Sequence, residues 1–80
     1  MFPYENLPDI HRFCHEQLDE LHREGGDEAP ELRARLETAV HALRALDPET
    51  WGQAEEDVRH VAGRFAAHPG YAALGLDDDE

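Results

Sequence analysis

Apolar residues recur at helical spacing in three segments of the chain, at about residues 8–24, 30–46 and 48–67. Taken at about 100° per residue, the apolar positions of each segment fall on one stripe, which is the pattern of a helix with one buried face. Leu46 continues the stripe of the second segment. The expected core is formed by the large residues of these stripes: Leu18, Leu21, Leu36, Val40, Leu43, Val58, Val61 and Phe65.

Capping residues, glycine and proline mark the ends of these segments. Asn6 is expected to cap the first helix, and Gly25-Gly26 supplies the left-handed backbone that helix C-termini favour. Asp47-Pro48 ends the second helix and opens the third, with the aspartate expected to accept hydrogen bonds from free amides of the first turn. Connections this short favour antiparallel neighbours. No strand pattern occurs, so the sequence predicts an all-α fold, a small antiparallel three-helix bundle that forms a single domain over residues 1–76.

The segments outside the three helices contain several aromatic residues. Residues 71–74 are expected to form a short C-terminal helical turn. Phe2, Tyr4 and Tyr71 either fold back over the ends of the bundle, which is the favoured interpretation, or serve as aromatic anchors for a dimer or partner contact. Phe13 lies off the apolar stripe of the first helix, which predicts a semi-exposed position or a place in an interface. This residue, the apolar termini and the limited core of so short a chain together predict a homodimer.

The charge of the chain is strongly negative. It has 19 acidic residues against seven arginines and no lysine, for a net charge of −12. This balance excludes direct binding to nucleic acid, where Lys and Arg neutralise phosphates, and it disfavours anionic membrane surfaces. Residues 1–31 hold nine acids against two arginines, and residues 77–80 form an acidic tail. The outer face of the first helix, here called the acidic face, carries Asp9, Glu16, Asp19 and Glu20.

Two interpretations of the acidic face are open. It is either a solvated surface with local ion pairs, such as Asp19 with Arg23, or a surface that docks on a basic partner, where charge accelerates encounter and sets specificity. The second predicts a small protein-binding module. Its sharpest form is an inhibitor or antidote that mimics nucleic acid and covers a basic surface of another protein, as phage anti-defence proteins and antitoxins do. The candidate partner-binding residues are Asp9, Glu16, Asp19, Glu20 and Phe13.

Histidine is the other abundant ionisable group, with six in the chain. His11, His15 and His22 fall on one stripe of the first helix. His11 and His15 are four residues apart, a spacing that lets two imidazoles bind one metal ion, as in the HExxH motif. Arg12 stands where that motif has glutamate, and spacing indicates no further ligand. These histidines either border the apolar stripe or, as an alternative function, make the chain a metal-binding or pH-responsive accessory subunit.

The remaining chemistry of the chain is limited. Cys14 is the single cysteine, lies within the apolar stripe and is expected to be inert. With no secretory segment, it predicts a cytoplasmic protein, and no apolar run approaches the ~18–20 residues of a membrane span. A bundle of this size is not expected to hold a ligand cleft, so we predict neither enzyme activity nor a cofactor. The chain is similar to acyl and peptidyl carrier proteins in size, acidity and helicity, but it has no serine to carry their prosthetic arm.

Overall fold

A computed structural model describes residues 2–76 of the chain as a bundle of three α-helices, and the predicted acidic tail at residues 77–80 lies outside the described residues. Helix α1 spans Leu7–Arg23, α2 spans Ala29–Arg44 and α3 spans Trp51–Gly63. A 3₁₀ turn at Tyr4–Asn6 precedes α1, and a 3₁₀ helix at Pro69–Leu74 follows α3. The molecule is 73% helical, and none of the described residues lies in a strand. The predicted all-α three-helix fold and the short C-terminal helical turn are therefore confirmed.

The two ends of α1 are held in different ways. At its C-terminus, Gly25 has a φ of +88°, and the Gly26 amide donates to the Leu21 carbonyl at 2.8 Å. This is the left-handed helix stop that the glycine pair predicted. At the N-terminus, the Asn6 side chain does not cap the helix and donates instead to the Leu74 carbonyl at 3.2 Å. Asn6 therefore joins the start of the domain to its C-terminal 3₁₀ helix.

Helix α3 is shorter than predicted at both ends. Residues 47–50 form a turn in which the Asp47 carboxylate accepts from the amide two residues further on, at 3.1 Å. The helix therefore begins at Trp51, and Thr50 rather than Asp47 occupies the cap position. Near the C-terminus the Phe65 amide donates to the carbonyl three residues back, at 2.9 Å, so the chain has left α-helical geometry before residue 67.

The core contains the large residues that the apolar stripes predicted. Leu21 and Phe65 are half-buried and pack against it. Leu46 was expected to continue the apolar stripe of the second helix, but it is 70% exposed. Helix α2 ends at Arg44, and Leu46 adopts a left-handed φ of +57° that turns it away from the stripe. The other predicted core residues are each no more than 2% exposed: Leu18, Leu36, Val40, Leu43, Val58 and Val61.

The terminal segments close the bundle. Phe2, Leu74 and Leu76 are buried and Tyr71 is half-buried against the core, as the folding-back hypothesis predicted. Tyr4 remains exposed, although its ring lies 5.0 Å from that of Phe2. Most of the apolar surface near the termini is therefore used within one molecule.

Phe13 is buried, which contradicts the prediction of a semi-exposed or interface position. It is 9% exposed, and its ring meets the His68 ring edge-on with centroids 5.2 Å apart. The C-terminal 3₁₀ helix passes so close that a Cβ on Gly70 would lie 3.2 Å from the Phe13 ring. Phe13 is therefore not a surface anchor for a partner. Two of the grounds for a homodimer, Phe13 and the apolar termini, are satisfied inside the monomer. The homodimer predicted from the sequence is untested and retains only the limited core as a ground.

Helix α2 lies between the other two helices and packs against both. The ion pairs His11–Glu37 and Asp19–Arg33 join α1 to α2. From the first pair to the second, the residue number rises along α1 and falls along α2, so the two helices are antiparallel. Their outer edges form a seam that carries these charged groups. Among the described residues, no helix has the length and apolar character needed to cross a membrane.

Candidate functional site

Two imidazoles and one carboxylate converge on the α1–α2 seam. The His11 Nε2 atom lies 2.8 Å from Glu37 Oε2, and His15 Nε2 contacts the same oxygen. The two rings meet edge-on with their centroids 4.8 Å apart. One ligand atom from each residue lies within 4.8 Å of the other two. We call these three residues the histidine–glutamate cluster.

Helical geometry explains the convergence. His11 and His15 are one turn apart, so their rings project from the same edge of α1. Glu37 follows the fully buried Leu36 and therefore stands at the border of the α2 core face. A carboxylate only accepts hydrogen bonds, so each imidazole presents Nε2–H to it. The hydrogen bond from His11 is the largest cause of a lowered pKa of the Glu37 carboxyl, with smaller contributions from His15.

His22 does not belong to this cluster. It lies two helical turns beyond His15, where it lines a shallow cavity of about 300 Å³ with Pro30 and Arg33. Sequence spacing had grouped His22 with His11 and His15 and had missed Glu37. The sequence does distinguish Glu37, because it is the single acidic residue among residues 32–46, a segment that also contains three arginines.

Two of the four acids predicted on the acidic face are paired with arginines. Asp9 accepts from Arg12 at 2.5 Å, within α1. Asp19 pairs with Arg33 of α2, not with Arg23 as i,i+4 spacing suggested. All four acids are exposed, as predicted, but the local charge of Asp9 and Asp19 is compensated.

The other two acids extend into a row. Glu16, Glu20 and Glu24 are spaced by four residues and are all exposed. Within residues 2–76, no side-chain hydrogen bond or ion pair involves any of the three carboxylates. We call them the glutamate row. Glu24 was not among the predicted residues, although its spacing from Glu20 places it on the same side of the helix.

A shallow groove borders the glutamate row. It has a volume of about 240 Å³ and lies between the C-terminal parts of α1 and α3. Half-buried Leu21 and Phe65 form its apolar part, and Arg64 stands at its edge with its Nε 2.6 Å from Glu28. The groove therefore places the carboxylates of Glu20 and Glu24 beside two half-buried apolar side chains, in a lining that is otherwise polar.

The buried thiol of Cys14 does not contribute to either cluster. It is fully buried, and burial raises its pKa to about 12. The thiolate needed for nucleophilic attack or metal binding is therefore disfavoured.

The described residues thus present two surface features with chemistry of their own. The histidine–glutamate cluster offers metal ligands between two helices, and the glutamate row offers unpaired negative charge beside a shallow groove. Comparison with protein-family models, with curated proteins and with solved structures finds no match to this chain.

Proposed function

We propose that this protein is a small helical protein-binding module whose glutamate row docks on a basic surface of a partner protein. The observation that carries the proposal is the contrast within α1. Asp9 and Asp19 are compensated by arginines, whereas Glu16, Glu20 and Glu24 are exposed and unpaired. The uncompensated part of the acidic face is therefore continuous and restricted to one side of one helix.

The glutamate row is unfavourable in the isolated protein. Like charges at i,i+4 destabilise a helix by about 0.2–0.5 kcal/mol per pair, and the row contains two such pairs. Glu24 also lies at the C-terminus of α1, where the helix dipole favours cations. A basic partner would remove this repulsion on binding, which adds to the attraction between the two surfaces.

The groove beside the row suits arginine or lysine side chains of a partner. Their aliphatic stems can pack beside Leu21 while their charged ends reach the carboxylates of Glu20 and Glu24. Such an arrangement resembles the border of an interface core, where apolar contact and a charged rim occur together.

The class of partner follows from the charge. The best match to a chain of net charge −12 is a protein with a basic, nucleic-acid-binding surface, which this protein would cover in the manner of an inhibitor or antidote. We place the encounter in the cytoplasm, because the chain has a single cysteine and that residue is buried. The protein itself is not expected to bind duplex DNA.

The test compares two triple charge reversals. In the row variant, Glu16, Glu20 and Glu24 are changed to Arg. In the control variant, the exposed and unpaired Glu31, Glu49 and Glu56 are changed to Arg, so both variants alter the net charge equally. Affinity capture from the native host with wild-type protein supplies the partner, whose affinity for each variant is then measured by calorimetry.

We expect the row variant to lose at least about tenfold in affinity, about 1.4 kcal/mol, and the control variant to lose much less. The wild-type affinity should also fall as salt rises above about 0.15 M, where charges are screened beyond about 8 Å. Circular dichroism checks that both variants keep their helical content. Equal losses in the two variants, or unchanged affinity in the row variant, would show that the glutamate row is only solvated surface.

A further inference from the structure

The histidine–glutamate cluster gathers three metal-binding groups at one point. Both Nε2 atoms approach the same carboxylate oxygen of Glu37, and one ligand atom from each residue lies within 4.8 Å of the others. Around a tetrahedral ion with bonds of about 2.0–2.2 Å, neighbouring ligand atoms lie roughly 3.3 Å apart. Small side-chain rotations therefore suffice to place all three atoms around one ion.

The donor set selects the class of ion. Two imidazoles and one carboxylate suit divalent transition metals, and Ca²⁺ and Mg²⁺ prefer ligand sets made of oxygen. Zn²⁺ is commonly held by two histidines and a glutamate, with its remaining position open to water. Cys14 is buried and its thiolate is disfavoured, so the cluster has no sulfur ligand to offer a softer ion.

The surroundings of the cluster permit an ion to enter. The side chains of His11, His15 and Glu37 are 21%, 38% and 45% exposed, so no buried charge has to be created. A hydrogen bond from either imidazole to the Glu37 carboxylate requires the ring proton on Nε2. Binding through Nε2 requires that proton on Nδ1 instead, a tautomeric change that rings with access to water can make.

We propose that His11, His15 and Glu37 form a binding site for a divalent transition metal ion of the Zn²⁺ class, which joins α1 to α2. Three protein ligands come from two helices, and a fourth position faces solvent. This site is independent of the glutamate row. It differs from the set predicted by sequence spacing, because Glu37 replaces His22 as the third ligand.

The experiment titrates ZnCl₂ into the untagged full chain, freed of metal by a chelator that is then removed, and follows binding by calorimetry. We expect one ion per chain. Replacing His15 or Glu37 with Ala should weaken binding by more than the roughly 10–100-fold that follows loss of a group merely supporting a ligand. Co²⁺ bound to wild-type protein should show the visible absorption of a four-coordinate site, and this absorption should be lost in Glu37→Ala.

Two single variants serve as matched controls. His22→Ala tests the ligand set that sequence spacing predicted, and His41→Ala removes an exposed histidine elsewhere on α2. Both should bind Zn²⁺ as tightly as wild type. Because a metal that binds only the folded state stabilises it, Zn²⁺ should also raise the Tm of wild type and of both controls but not that of Glu37→Ala. Circular dichroism without metal verifies that every variant is folded.

Three outcomes would overturn the proposal. The first is no stoichiometric heat of binding at protein concentrations in the tens of micromolar. The second is zinc affinity that Glu37→Ala leaves unchanged, which would reduce the site to two histidines. The third is a loss in His22→Ala as large as that in Glu37→Ala, which would return the site to the three histidines of α1.

Discussion

At the scale of single residues, the chain places two side chains in positions that their type does not favour. Leu46 occupies the left-handed position after α2, with a φ of +57°, where glycine is the usual residue. Its side chain is 70% exposed, so little burial compensates the unfavourable backbone. Trp51 has its indole nitrogen buried without a hydrogen-bond partner among the described residues. Both residues flank the α2–α3 connection, so two unfavourable features lie at this connection.

We predict that Leu46→Gly stabilises the protein. The left-handed conformation costs a residue with a Cβ about 1–2 kcal/mol, and glycine removes this cost. Glycine also gives the unfolded chain more conformational freedom, which offsets about 0.4–1 kcal/mol of the stabilisation. The free energy of unfolding should therefore rise by roughly 0.5–1 kcal/mol in urea titrations. Leu46→Ala, which keeps the Cβ, should bring no comparable gain. A destabilised glycine variant would mean that the exposed leucine makes contacts that matter to the fold.

At the scale of helices, three sides of α1 carry residues with different roles. One side packs Leu18 and its apolar neighbours into the core, the edge facing α2 carries His11 and His15, and the opposite side carries the glutamate row. The pairing with α2 is polar along its outer edge, where the histidine–glutamate cluster and the Asp19–Arg33 pair follow each other. The stability of this seam therefore depends on pH.

The sign of that dependence follows from Glu37. Its carboxyl pKa is lowered from 4.5 in the folded protein, chiefly by the hydrogen bond from His11, so its contribution to stability is present above the unfolded pKa and is lost as pH falls through the folded pKa. We expect Glu37→Gln to be less stable than wild type at about pH 5.5, by less than about 1 kcal/mol because the carboxylate is 45% exposed. The difference between the two proteins should shrink as the pH falls from about 5.5 to about 3.

Urea unfolding in the presence of EDTA measures this difference without bound metal. Glu31→Gln is the matched control, since Glu31 is an exposed glutamate of the same helix without a side-chain partner among residues 2–76. Its effect on stability should change less between the two pH values. A difference between wild type and Glu37→Gln that stays constant over this range would contradict the assigned interaction.

At the scale of the whole molecule, most large apolar side chains are buried and the charged side chains are on the surface. Phe2, Phe13, Leu74 and Leu76 are all buried by the return of the chain ends over the bundle. Among the described residues, the large hydrophobic side chains that remain exposed are Tyr4 and Leu46. The surface is otherwise dominated by carboxylates, in a chain with a net charge of −12. Repulsion between like charges on such a surface opposes self-association.

We therefore expect sedimentation equilibrium to give the monomer mass of 9.1 kDa at tens of micromolar protein. The homodimer predicted from the sequence depended on Phe13 and on the apolar termini, which the monomer buries. Repeating the measurement at high salt controls for repulsion between two acidic molecules. A species of twice the monomer mass under both conditions would restore the homodimer.

The sequence by itself determined the three helices, most of the core and the overall acidity. These follow from interactions between residues close in the chain: the spacing of Leu18, Leu36 and Val58 with their neighbours, and the helix stop at Gly25, need no knowledge of the partner helices. Residue spacing also placed His11 and His15 together, because both lie on one helix. Helix ends were less predictable, since the turn at residues 47–50 and the left-handed Leu46 depend on how the connection is closed.

Only the tertiary structure decided which residues meet across helices. Packing of α2 beside α1 brought Glu37 to the two histidines and Arg33 to Asp19, although 22 residues separate His15 from Glu37. The return of the C-terminal 3₁₀ helix buried Phe13, which helical periodicity had placed off the core. The physical reason is the same in each case: periodicity states the direction of a side chain around its own helix, but the register between packed helices selects its neighbour.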